Sequence, residues 1–383
     1  MAGVRRVAIV GGGIGGLCAA IALRRAGVET SVYEQAEKLR EVGAGITLWP
    51  NAVGVLRRLG LAEGLIRRGA RMRRAAILTS AGRVLAESRP EELERLTGEP
   101  TVALHRADLH ALLLAALPED FVRLGAKFVA AEETPEGVTA RFADGRAETA
   151  DLLVGADGLN SAVRRQLFPA VQPRYSGYTS WRGIAPQCEG VAEGFTSESL
   201  GRGSRFGIVP IGRGRVYWYA TENVPAGQAQ PQGERKGHLL RRFEGWHEPV
   251  KRLIEVTPDE HVLRNDIYDI EPMRSWHAGR VVLLGDAAHP TTPNMGQGAC
   301  MAIESAFTLA RSISEAVEVE GALGTYERAR MKRTAWVTRQ SRMAGRVGQV
   351  EGRVACAARD LLLAAAPKAL MRRTLERAVS FEL

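Results

Sequence analysis

The sequence predicts an α/β protein in which a parallel-sheet, dinucleotide-binding domain is interrupted by a β-sheet domain and followed by C-terminal helices. Three observations carry this expectation. The chain opens on a short apolar strand that runs into a glycine-rich turn and a helix. A second apolar run, Val281 to Gly285, ends at Asp286 and a proline-broken turn before a long amphipathic helix. Between them, from Gln172 to about Pro272, strand patterning dominates.

At 383 residues the chain suits two interleaved domains rather than one core. Cys18, Cys188, Cys300 and Cys356 are scattered with no C-x-x-C pair, which argues against a zinc site or a disulfide framework and for a reducing, cytoplasmic setting. His289 has no second ligand at metal spacing, so no metal is expected. No apolar run reaches the length of a membrane span. The net charge of +9 comes from arginines spread in ones and twos, a pattern that suits solvated helix faces better than a nucleic-acid tract.

In chain order, Val7 to Val10 is the first strand, and Gly11, Gly13 and Gly16 stand at G-x-G-x-x-G spacing before the helix Leu17 to Ala26. The first glycine permits a tight turn, the second lets backbone approach a pyrophosphate, and the third lets helix pack on strand. A second strand, Glu29 to Tyr33, ends at Glu34, 23 residues after Gly11, where a carboxylate meets the ribose hydroxyls of an adenine dinucleotide. Strand, glycines, helix, strand and acid in that order are specific where a lone glycine motif is not.

Val42 to Asn51 follows, with Gly43 and Gly45 suggesting backbone near a ligand and Asn51 able to cap the next helix behind Pro50. Arg71 to Ser88 alternates like strands and leads into an acidic linker, Pro90 to Pro100. The helix His105 to Leu117 carries Arg106 near its start, suited to a phosphate or to the surface. A three-stranded meander, turning at Pro135-Glu136-Gly137 and Asp144-Gly145, leads to the buried strand Leu152 to Val154. Asp157 and Gly158 lie at its end, again a place for a phosphate-rich ligand.

GYTSWRGIAP, SRFGIVPIG and GRVYWYATEN read as three strands of one sheet. By the two-residue period Tyr178, Ser180 and Arg182 share a face, as do Arg205, Gly207 and Val209, and Tyr217 and Tyr219. If those faces coincide they line a pocket with arginine for an anion or carbonyl, tyrosine for a hydroxyl and aromatic walls. After Asp286, apolar residues recur at Ile303, Phe307, Ala310, Ile313 and Val317, placing a helix N-terminus near Met295 to Gly298. Such an end carries about +0.5 of a charge and favours an anion. Thr325 to Val347 is a second, basic helix. Val354 to Ala378, broken at Pro367, suits packing on the nucleotide domain or a second subunit, or contact with a membrane surface.

With the glycine fingerprint, the DG stretch and GDAAHPTTPNMGQG all in order, the chain resembles the FAD-dependent aromatic monooxygenases of the para-hydroxybenzoate hydroxylase fold. Through LWPN, GYTSWRGI and PNMGQGACMAIESA it is most similar to the single-component branch that includes urate hydroxylase, zeaxanthin epoxidase and salicylate hydroxylase. The resemblance implies a Rossmann-like FAD-binding domain with an interleaved β-sheet substrate domain and C-terminal helices. Residues 1–70, 101–171 and 273–345 would build the first, 71–100 and 172–272 the second, and 346–383 the helices.

It also implies site residues. Gly11, Gly13, Ile14, Gly15 and Gly16, with Glu34, Gln35 and Val129, would hold the AMP half of FAD; Arg106 and Asp157 would lie at the pyrophosphate and Asp286 at the ribityl chain. Gly45, Thr47 and Met295, Gly296, Gln297 and Gly298 would face the flavin. Arg205, Tyr217 and Pro293 are the expected catalytic residues, and Arg182, Arg205, Tyr217 and Tyr219 the substrate contacts. Asn294 stands where that branch carries an acid, and Arg182 where it is often neutral, so the substrate need not be urate.

The implied activity is hydroxylation or epoxidation of a small aromatic or heteroaromatic molecule. It consumes O2 and NADH or NADPH and passes through a flavin C4a-hydroperoxide in a monomer or homodimer. With only one dinucleotide fold, the nicotinamide would dock transiently. An FAD-linked reductase or oxidase of the same fold, or a basic flavin-bearing protein that binds nucleic acid or membrane, are the alternatives.

Overall fold

In a computed structural model, residues 3–39, 44–134, 137–228 and 230–381 are described. Gly43 and the Pro135-Glu136 part of the expected turn lie outside the described residues.

The strand Arg6–Val10 sits in a six-stranded sheet, flanked by Glu29–Tyr33 on one side and Leu152–Gly155 on the other, all parallel. Val281–Leu283 extends it in parallel beyond Leu152–Gly155, and His277–Ala278 closes that edge antiparallel. Strands buried on both sides read as unbroken apolar runs, as VAIV, LLVG and VVL do here. Helices Ile14–Arg25 and Gly298–Glu315 pack together over this sheet, burying Leu17, Leu23, Ile303 and Leu309 in the main core.

A seven-stranded sheet takes strands from two stretches of chain, Arg74–Thr79 and Val84–Ser88, then Arg174–Pro186, Phe195–Leu200, Ser204–Pro210, Arg215–Glu222 and Leu263–Asp269. Its register places Arg182 opposite Tyr219, and Tyr219 opposite Gly207. The three rows expected to share a face therefore do so. Between the two sheets, Gly45–Leu48 pairs antiparallel with Val102–His105 in a small third sheet.

Three local expectations are corrected. Pro90 to Pro100 is not a linker: Pro90–Thr97 is a helix, with proline at its first turn, Glu91 and Glu92 facing its positive end, and Gly98 closing it at φ +75°. Asn51 does not cap its helix, whose N-cap is Trp49 without a side-chain bond; its amide points at Gln297 and Glu304 instead. Val317 does not continue the apolar stripe, because the helix stops at Glu315 and Val317 is 79% exposed.

Candidate active site

The glycine turn divides into two kinds of glycine. A Cβ at Gly11 would fall 2.3 Å from the Ala156 carbonyl oxygen, and Gly11 holds φ at +112°. At Gly16 a Cβ would lie 2.0 Å from the Gly11 oxygen, and at Gly15 2.9 Å from Leu284. These are demanded by the chain's own packing. Gly13, the N-cap of the helix that begins at the buried Ile14, would meet nothing within 4 Å. That open space lies where unpaired helix amides gather, and it suits a phosphate.

Glu34 accepts from the Gly12 amide at 2.8 Å and from the Ala36 amide at 2.9 Å, so each carboxylate oxygen is oriented yet keeps a lone pair for a hydroxyl donor. Gln35 beside it is exposed. Val129 lies on Phe128–Thr134, three residues beyond Ala126, whose amide donates to the Glu34 carbonyl; at 60% exposure it is an uncovered apolar surface on that side.

Arg106 is the exposed first residue of the helix Arg106–Leu114, and its amide donates to the Ala44 carbonyl. Asp286 lies in the one-turn helix Gly285–Ala287, directly after the strand Val281–Leu283, and is solvent-accessible. Desolvation by the protein packed around it raises its pKa, and the charges of Arg106 and Arg164 oppose that rise. Asp157 is turned inward to its own chain: it accepts from Ser161 and from the amides of Ala162 (2.6 Å) and Val163 (3.2 Å), capping the helix Ala162–Leu167. Arg164, which the motif reading passed over, is fully buried and donates to the carbonyls of Asp286 (3.4 Å), Ala287 (3.0 Å) and Leu159, stitching the DG turn to the GD turn. Nothing in the sequence sets Arg164 apart from its exposed neighbour Arg165.

The turn Pro293–Met295 carries Pro293 at its exposed start, with Gly296 left-handed at φ +62° and hydrogen-bonded back to the Pro293 carbonyl at 2.9 Å. The long helix begins at Gly298. Gln297 is 1% exposed; its Oε1 accepts from Asn51 at 3.0 Å, which leaves Nε2 buried without a protein acceptor. Asn51 cannot turn over, because the same nitrogen donates to Glu304 at 2.5 Å. Glu304 is itself fully buried against Arg330 (2.6 Å) and Arg333 (2.7 Å). Such an orphaned amide beside a helix N-terminus calls for a ligand acceptor. On the other side, the Trp49 amide donates to Cys300 Sγ at 3.4 Å, holding the Gly45–Leu48 strand with Thr47 close to the helix start.

The sheet face completes the cleft. The Tyr217 ring lies so close to Gly45 that a Cβ there would fall 2.3 Å from it, which joins the substrate sheet to the Gly45 strand. Tyr219 lies across Gly207 in the same way and stands 6.0 Å from Tyr217, centroid to centroid. Desolvation raises the Tyr217 pKa against the charge of Arg182, and raises that of Tyr219 further with Glu198 beside it. Both stay protonated at neutral pH and can donate. The Arg182 side chain makes no hydrogen bond or ion pair among the described residues, and the Tyr217 hydroxyl no hydrogen bond.

Arg205 differs. Its Nε donates to Gln349 (2.7 Å), Nη1 to Glu198 (3.0 Å) and Nη2 to Asn294 (2.8 Å), while the Tyr178 ring lies 5.4 Å away. One N–H on each terminal nitrogen is left. Asn294 uses both ends of its amide: Oδ1 accepts from Arg205 and from Tyr178 (3.1 Å), and Nδ2 donates to Thr292 and to the Ser341 carbonyl, each at 2.8 Å. An acid there would lose both donor contacts.

Comparison with known proteins finds relatives along nearly the whole chain. Residues 5–341 match the FAD binding domain family. The chain is 45% identical over 357 residues to aurachin C monooxygenase/isomerase of Stigmatella aurantiaca, covering 93% of each chain. It is 38% identical to 3-amino-4-hydroxybenzoate 2-monooxygenase of Streptomyces cremeus, over 88% of this chain and 86% of that one. The fold superposes on Klebsiella pneumoniae HpxO complexed with FAD and uric acid with a TM-score of 0.93 at 30% identity, covering 99% and 97% of the two chains.

Proposed function

The chain belongs to the FAD-binding monooxygenases, and on that footing we propose that it consumes NADH or NADPH and O2 to hydroxylate a planar aromatic or heteroaromatic molecule bearing an acidic or carbonyl oxygen. FAD suits the residues present: the free space at Gly13, the half-used Glu34 carboxylate and the orphaned Gln297 amide each want what a dinucleotide and a flavin ring offer. When bound, the flavin supplies the redox chemistry.

The chain supplies the rest. Glu34 receives ribose hydroxyls, with Gln35 and Val129 beside the adenine; Arg106 takes the pyrophosphate, and Asp286 takes a hydroxyl of the chain between phosphate and ring. Gly45, Thr47 and the Met295-Gly296-Gln297-Gly298 backbone line the ring, and the helix N-terminus there favours the negative charge of its reduced form. Asp157 acts from behind, by holding its helix in place. The Tyr217 hydroxyl donates to an oxygen of the substrate, Arg182 pairs with its charge or carbonyl dipole, and Tyr219 forms a wall. Arg205 sets the position of the Pro293–Met295 turn through Asn294, next to Pro293.

The observation that carries this reading is the seat of Tyr217 against Gly45, which puts an unpaired phenol where sheet and cofactor strand meet. Screening phenols, quinolones and purines for stimulated NAD(P)H oxidation, then running the active one under isotopically labelled O2, tests it. Label in the product supports a hydroxylase; stoichiometric peroxide with unlabelled product would instead make the protein an oxidase of the same fold.

A further inference from the structure

The helix Arg353–Ala365 is placed with its polar side inward. Its two buried side chains are Cys356 and Arg359, which bond the carbonyls of Gly201 and Gly348; Val354 is 84% exposed, Leu361 70% and Leu362 71%. Val354, Ala358, Leu361 and Ala365 fall at i, i+4, i+7 and i+11, one stripe of the helix, and all four are exposed. Just before it, Met343 and Val347 are exposed at 54% and 44% on the face that also carries Arg346. Of the ten exposed large apolar side chains among the described residues, five therefore lie between positions 343 and 362. A concentration of that kind marks a contact surface.

Charge says what it contacts. From Arg339 to Arg377 the sequence holds nine basic residues and three acidic ones, so this stretch carries most of the net +9 of the whole chain. Arg346, Arg353 and Arg373 are exposed and form no ion pair among the described residues. A second copy docked face to face would set these arginines against themselves, since a two-fold contact repeats one patch on both sides. An anionic lipid surface neutralises them while its acyl region takes the leucines.

We propose that the helix Arg353–Ala365, with the exposed end of the helix before it, docks the protein peripherally on an anionic bilayer. The helix before it ends against the substrate sheet: its last residue, Gly348, lies so near Arg205 that a Cβ there would fall 2.8 Å from the Arg205 Cδ, and its carbonyl accepts from Arg359. Docking thus sets the substrate face near the membrane surface.

The full-length, FAD-loaded protein should co-sediment with vesicles of phosphatidylcholine plus phosphatidylglycerol, weakly with phosphatidylcholine alone, and less as salt rises. Arg353→Glu should weaken binding on the order of tenfold, and the double variant Leu361→Glu with Leu362→Glu should abolish it. Retained flavin absorbance and an unchanged melting temperature establish that both variants fold. The proposal is overturned if the wild type ignores anionic vesicles or if the leucine variant still binds them. It is equally overturned if light scattering shows a wild-type dimer that this variant converts to monomer, which would make the stripe a subunit interface.

Discussion

The two faces of the seven-stranded sheet are built from alternate residues of the same strands, yet they are different materials. One face carries Trp181, Phe206, Trp218 and Ala220, packed with Leu239, Phe243 and Leu253 from the helices behind it; Phe206 stacks on Trp218 at 5.5 Å, and the Trp218 nitrogen donates to Thr257 at 2.9 Å. Among the described residues its orphaned buried groups are the Trp181 nitrogen, beside the His238 ring, and the Ser204 hydroxyl two residues before Phe206. The other face carries Arg182, Arg205, Tyr217, Tyr219 and Glu198, of which only part is satisfied from within. A face whose groups satisfy one another supplies stability; a face that leaves donors over is arranged for a ligand.

Truncation on the packed face should have the largest effect and leave the chemistry alone. Trp218→Ala removes a fully buried ring and its bond to Thr257, and should cost roughly 3–5 kcal/mol of stability. Denaturant unfolding followed by fluorescence reads this directly, while substrate affinity at low temperature stays near that of the wild type. A large loss of affinity at unchanged stability would erase the distinction between the faces.

Arg205 straddles the distinction, because it sits on the ligand face but spends three donors on the protein. Arg205→Lys keeps the charge but cannot reach Glu198, Gln349 and Asn294 together. We expect roughly 1–3 kcal/mol of destabilisation, with Glu198 partly solvated and so not fully stranded. A shift in the bound-flavin spectrum should accompany it as Asn294 loosens the turn. Unchanged melting with a lost substrate response would mean that Arg205 acts on substrate alone.

Arg182 should behave as its opposite. With no internal partner to lose, Arg182→Gln should leave the melting temperature in place and raise KM for an anionic substrate by about ten- to a hundredfold. A neutral analogue should be nearly indifferent to the change. Equal effects on both substrates would show that the charge is not read.

How much of this was legible beforehand depends on how far apart the partners are in the chain. The glycine turn, Glu34 and the shared faces of three strands follow from spacing within about twenty residues or from a two-residue period, and the folded chain places them so. The fate of Arg205 depends on Gln349 and Asn294, 144 and 89 positions away, and no local pattern announces such bonds. Asn51 shows the same limit: its sequence neighbours made it a cap, and Glu304, 253 residues on, claimed it. Pro90 to Pro100, expected as an acidic linker, is a helix because proline and acids at a first turn start one.

Tyr217 offers the smallest and sharpest test. Its ring is fixed by Gly45 on one side and Tyr219 on the other, so removing the hydroxyl should leave ring, packing and FAD binding unaltered. No protein group loses a partner, because the hydroxyl has none among the described residues. Tyr217→Phe should therefore change stability by less than about 0.5 kcal/mol. What it removes is one neutral donor to the substrate, worth roughly 0.5–1.5 kcal/mol, or about two- to tenfold in kcat/KM. Desolvation keeps this phenol protonated, so the loss should be constant between pH 6 and 9 rather than follow a titration. If the bond also orients the reacting carbon, the ratio of product to NAD(P)H consumed falls alongside. Wild-type kinetics and coupling in this variant would move the substrate away from Gly45 and toward Arg182.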